Sequence, residues 1–142
     1  MKKVAGFTLV EILIVIVLIG VLAAIALPSY QRSIENSRRA DGMAVMQGLS
    51  QAMERYYTET GTYTGASDGL YSRKAPVEGA AVYYNLTISV LNSADYTLLA
   101  TPANAQSGDG FLTLTNTGQR GWDRDNSGTV EAATEQCWEK SC

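Results

Sequence analysis

The stretch "GFTLVEILIVIVLIGVLAAIALPSYQ", residues 6 to 31, decides the fold. From Phe7 to Leu27 it runs for 21 residues, interrupted only by Thr8, Glu11 and Gly20. As a helix rising about 1.5 Å per residue, that run crosses a hydrocarbon layer of about 30 Å. A single carboxylate within it is costly, roughly 3 kcal/mol for a charged side chain near the bilayer centre. Glu11 therefore needs a compensating partner. Lys2 and Lys3 precede the run, so the positive-inside rule keeps the N-terminus cytoplasmic and sends the remainder outward.

Two ordinary readings of such a run leave Glu11 idle. "LAAIALPSY" (22–30) offers the small residues Ala24 and Ala26, as a secretory cleavage site would. A plain signal anchor holding an exported domain is the other. Composition narrows the rest of the chain. At 142 residues it suits one domain, and the formal charge of −3 excludes a globally basic, nucleic-acid-coating protein. Histidine is absent from the sequence, which removes the commonest general base and every Ser-His-Asp or Cys-His arrangement. Nor does a phosphate-cradling glycine loop appear, so an enzyme is not expected.

The run resembles the class III signal and N-terminal helix of type IV pilins and their pseudopilin relatives. The Gly-Phe-Thr-Leu-x-Glu motif matches from Gly6 to Glu11. The resemblance implies a leader of residues 1–6, cleavage between Gly6 and Phe7 by a prepilin peptidase, and N-methylation of Phe7. It also supplies the missing partner: Glu11 would pair with the Phe7 amine of a neighbouring subunit during filament assembly. A buried charge is tolerable when partnered, and one unmatched charge favours correct register over slippage. Leader removal takes two lysines, leaving nine basic against fourteen acidic residues, or −5.

By the same resemblance residues 7–28 form the transmembrane and filament-core helix, and residues 29–142 the periplasmic or extracellular globular domain. Proline inside a helix removes a hydrogen bond and usually kinks it. In pilins the segment between glycine and proline positions comparable to Gly20 and Pro28 can stretch or melt in the filament. Beyond Pro28, Tyr30, Ile34, Val45, Leu49, Ala52 and Tyr56 keep helical spacing. Arg32, Glu35, Arg38, Arg39 and Asp41 suggest that the first part meets water or charged neighbours. From Val45 the stripe should lie on a sheet. A helix continuous from Phe7 to Tyr57 is roughly 75 Å long, too long for a compact domain of this size to bury.

Residues 61 to 80 read as an irregular connection. "AVYYNLTISV" (81–90), "DYTLLATP" (95–102) and "GFLTLTNTG" (110–118) read as strands, with "LNSA" a hairpin turn between the first two. The expected class is α+β, a long helix across an antiparallel sheet of at least three strands. The motif order is most similar to the PilE-like minor pilins.

Cys137 and Cys142 lie in an exported, disulfide-permissive context, so one bridge between them is expected. In the family the first cysteine usually precedes the third strand, where this chain has Phe111. "WDRDNSGTVEAATE" (122–135) resembles the first half of a calcium loop, with Asp123, Asp125 and Ser127 alternating before Gly128. Position twelve is then Thr134 and Glu135 arrives one residue late, which favours a solvated turn over a metal site. No cofactor is expected, calcium being the one candidate.

The expected function is a structural subunit, a minor pilin of a type IV pilus. It would be anchored in the bacterial inner membrane with its C-terminus periplasmic, and then become part of the extracellular filament. Expected partners are other pilin subunits, the prepilin peptidase and the inner-membrane assembly platform. Two alternatives stand beside it, a type II secretion pseudopilin and a pilus-displayed DNA-uptake receptor. For the receptor, Arg73, Lys74, Arg120 and Arg124 are the available phosphate contacts of the globular part. They lie among acids, and nucleic acid is not expected as a partner.

Overall fold

In the computed structural model of the chain, residues 7–66 and 69–139 are described. Helix α1 covers Leu9–Thr60, with Pro28 inside it. Five strands follow: β1 Lys74–Ala75, β2 Tyr84–Leu91, β3 Tyr96–Pro102, β4 Leu112–Thr115 and β5 Arg120–Trp122. They form one sheet in the order β1-β2-β3-β4-β5. Every neighbouring pair is antiparallel. The chain divides into two compact units, Met1–Ile34 and Glu35–Cys142.

In the first unit, the described residues from Leu9 onward are helical, and the large apolar side chains of residues 9–27 stand in the open, Leu9 at 80 % exposure and Ile25 at 70 %. The helix is long and apolar enough to cross a membrane. Its start is capped: the backbone N–H of Glu11 donates to the Thr8 hydroxyl at 3.2 Å. That bond satisfies one of the donors every helix leaves open at its first turn.

The second unit holds the core. Here α1 buries Gly42, Val45, Met46, Leu49, Ala52 and Met53, residues three and four apart that share one face. Against them lie Tyr84 and Leu86 of β2, Tyr96, Leu98 and Ala100 of β3, Leu112 and Leu114 of β4, and Trp122 of β5. Alternate residues of each strand point to the helix, as the two-residue period requires. Two glycines allow ring-to-backbone contact. A Cβ at Gly42 would sit 3.0 Å from the Tyr84 ring, and one at Gly48 only 2.4 Å from Tyr71. The helix stops at Gly61, whose φ of 74° is the left-handed value glycine adopts freely and whose N–H reaches the Tyr57 carbonyl at 2.7 Å.

The three expected strands are present, and the Asn92 side chain closes the turn between β2 and β3 by accepting from the N–H groups of Ala94 and Asp95. Two expectations need correction. The connection at 61–80 contains β1, which pairs Lys74 with Asn85 and Ala75 with Tyr84, and β5 adds a fifth strand. On the helix, Arg39 meets a charged neighbour, Asp109, and is buried with it, whereas Tyr30, read as part of the apolar stripe, is exposed.

Candidate functional site

Four groups of residues carry chemistry. The first is the start of α1. Phe7 is 81 % exposed, and the Glu11 carboxylate has no hydrogen-bond or ion-pair partner among the described residues. Gly6, the other half of the expected cleavage site, lies outside the described residues. The Thr8–Glu11 arrangement is the T-x-x-E pattern of a helix start, a signal legible in the sequence itself. An acidic residue in the first turn also faces the positive end of the helix dipole.

The second group is the acidic loop. Asp123 is fully buried, and its two carboxylate oxygens accept the N–H groups of Ser127 at 2.8 Å and Gly128 at 3.0 Å. Asp125 accepts from the same Ser127 N–H at 3.0 Å. Hydrogen bonding by Ser127, from hydroxyl and amide, holds the exposed Asp125 carboxyl below its usual range. Glu135, also buried, accepts from the N–H groups of Arg124 at 2.8 Å, Asp125 at 3.2 Å and Glu131 at 3.2 Å.

Asp123, Asp125 and Glu135 bring carboxylate oxygens within 4.8 Å of one another. The third carboxylate is therefore Glu135 and not the residue in the twelfth position, Thr134. Calcium takes 6–8 oxygen ligands. Here each carboxylate is turned toward amide donors, and Ser127 contributes an N–H, a donor where a cation needs an acceptor. Their work is to tie residues 123–135 into a closed loop.

The third group is a buried polar cluster. Arg39 pairs with Asp109, donating to both carboxylate oxygens. The same carboxylate accepts from the Tyr84 hydroxyl and from the Gln106 side-chain amide at 2.9 Å. The guanidinium lies 3.7 Å over the Trp122 ring, and the Trp122 indole N–H donates to the Asp109 carbonyl at 2.7 Å. Burial first, then the Asp109 hydrogen bond, raises the Tyr84 hydroxyl far above its ordinary range. Next to this cluster Gly110, with φ of 75°, stands where a Cβ would meet the Asp123 carbonyl at 1.7 Å. Only glycine fits. The cluster fastens the 103–111 loop to α1 and the sheet, and within it the buried Gln106 Oε1 has no hydrogen-bond partner among the described residues.

The fourth group is the candidate phosphate contacts. Arg73 and Lys74 belong to the β1 side of the sheet, Arg120 to β5 at the other edge, and Arg124 to the acidic loop. Lys74 Nζ donates to the Gly79 carbonyl and Arg124 to the Thr134 carbonyl. The fold does not gather these four cations into one patch. Of the cysteines, Cys137 is partly buried next to the buried Trp138, and Cys142 lies outside the described residues.

Known proteins show similarity over most of the chain. Residues 1–27 match the family described as the prokaryotic N-terminal methylation motif. Residues 28–115 match the family described as type IV minor pilin ComP, DNA uptake sequence receptor. Type IV major pilin protein PilE1 of Neisseria gonorrhoeae is 30 % identical over 129 residues, covering 89 % of this chain and 72 % of the relative. Fimbrial protein EcpC of Eikenella corrodens is 43 % identical over 58 residues, covering 41 % of this chain. The chain thus spans 38 % of EcpC and 55 % of another gonococcal PilE1. The solved non-core minor pilin PilV of Neisseria meningitidis shares the fold, with a TM-score of 0.51 over 69 % of this chain and 97 % of PilV at 24 % identity.

Proposed function

The chain belongs to the type IV pilins, within the minor-pilin family that its residues 28–115 match, and from that premise we propose that it is a filament subunit polymerised through the start of α1. One observation carries this reading. The large apolar side chains of residues 9–27 stand exposed, while the apolar side chains of α1 from Val45 to Met53 are consumed by the sheet. So much apolar surface requires lipid or other pilin subunits as its surroundings. Before assembly the lipid is the bacterial inner membrane, with the domain on the periplasmic side, and afterwards the subunit is extracellular. A prepilin peptidase that cuts between Gly6 and Phe7, a methylated Phe7 amine that pairs with Glu11 of the next subunit, and the assembly platform complete the proposal. The test is mass analysis of sheared filaments. The chain should appear there with Phe7 first, and a chain present only in membranes, or beginning at Met1, would count against the reading.

A second reading, a receptor for DNA, draws on the description of the family matched by residues 28–115. The separation of the cations on β1 and β5 and the net charge weigh against it. A gel shift with the detergent-solubilised full chain separates the two. Binding that weakens steeply with salt would support the receptor.

A further inference from the structure

A groove of about 690 Å³ runs beside the β5 edge, between Ala40–Gln47 of α1, the 118–120 turn and residues 136–139. Met43, Ala44 and Trp138 give it apolar walls. Arg120 lies 4.8 Å over the Trp138 ring, and among the described residues its guanidinium has no hydrogen-bond or ion-pair acceptor. Glu139 also lines the groove and has an interaction of its own. The groove therefore suits an apolar group that carries one carboxylate.

The same unit displays such a group. In the loop that joins β1 to β2, Val77 is 44 % exposed, and Glu78, Gly79, Ala80 and Ala81 beside it are exposed too. Lys74 holds this loop by donating to the Gly79 carbonyl at 3.3 Å. Among the exposed large apolar side chains of this unit, only Val77 has an acidic sequence neighbour, and the Glu78 carboxylate has no partner among the described residues. The loop adjoins β1, and Arg120 belongs to β5, four strand spacings away, about 19 Å. One molecule cannot bring the two together.

We propose that the groove seats the β1–β2 loop of a second copy, with Glu78 on Arg120 and Val77 against Met43 and Trp138. Loop and groove are different surfaces on opposite edges, so the contact is head-to-tail. Such a contact leaves a free loop and a free groove after every addition, and repeats into a ring or an open helix. It extends the filament reading by naming a lateral contact between globular domains, independent of the apolar helix.

The test is a charge swap in the full chain: Arg120→Glu, Glu78→Arg and the pair together, with melting of each solubilised variant as the check on folding. Each single change should lower the chain's share in sheared filaments roughly five-fold, equivalent to about 1 kcal/mol, and the double change should restore it. Single variants that fold and assemble normally, or a folded double variant no better than either single, would overturn the proposal. A photo-crosslinking residue at position 77 gives the second readout. Dimer-sized adducts that map to the peptide with Trp138 support the contact, and adducts only elsewhere, or none, overturn it. Should the unaltered chain be missing from filaments, the filament reading fails, and the same cross-link scored in membranes still decides this proposal.

Discussion

The Tyr84 hydroxyl lies 2.5 Å from a carboxylate oxygen of Asp109 and donates to it, joining the start of β2 to the loop before β4. Tyr96 and Tyr63 play a related part, both donating to Glu54, at 2.9 Å and at 2.9 and 3.0 Å. Burial raises all three hydroxyls, Tyr63 to about 12.

That sets an alkaline limit. An unfolded tyrosine ionises near 10. Above that pH the unfolded chain loses protons that the native chain keeps, so stability is intact below about 10 and falls as pH rises through 12. Absorbance titration should show part of the eight tyrosines ionising only with unfolding. Free ionisation of all eight near pH 10, with the fold intact, would contradict the geometry.

Asp109→Ala should destabilise the protein by about 3 kcal/mol or more, because Arg39 is left charged and buried without its partner. Arg39→Leu combined with Asp109→Leu should cost less than the two changes added. Thermal melting of the solubilised full chain measures both.

Glu11→Val should leave membrane insertion intact, since it only adds apolarity, yet reduce incorporation into filaments. Thr8→Ala separates two roles of this turn. It removes the cap, worth about 1 kcal/mol, and keeps the carboxylate. If Glu11 acts between subunits, Thr8→Ala should assemble better than Glu11→Val in a count of labelled subunits.

In the acidic loop, calcium should leave the melting temperature unchanged. Glu135→Ala should lower stability by about 2 kcal/mol, as three backbone amides lose a charged acceptor. Asp125→Ala should cost less, the residue being exposed and bound through Ser127 alone. A chelator-reversible rise in melting temperature would reverse this account.

A Cys137–Cys142 bridge should be found by mass mapping without reduction. It should add only about 2 kcal/mol, because so short a loop contains little entropy.

The sequence was most legible where neighbours decide structure. The Val45–Leu49–Ala52 stripe and the alternation in "FLTLT" follow from local periodicity, and Val45, Leu49, Ala52, Leu112 and Leu114 are all buried. What stayed hidden depends on distant partners. Which charged neighbour Arg39 meets is not legible locally, because Asp109 lies seventy residues away. β1 is two residues long and owes its existence to β2, and "RGW" of β5 has no alternation to reveal it. Glu135 joins the acidic loop because the 122–135 segment folds back on β5, with the Trp122 N–H on the Glu135 carbonyl at 3.0 Å. Counting positions along an ideal loop left Glu135 one residue out of register.

The contact of Gly110 with the Asp123 carbonyl constrains how such a chain can diverge. Surface loops commonly change length independently of one another. Here the 103–111 loop and the acidic loop meet backbone to backbone, without a side chain between them to absorb a shift. An insertion in either would have to be matched by a change in the other, so the two loops should be inherited as one block and exchanged between relatives only together.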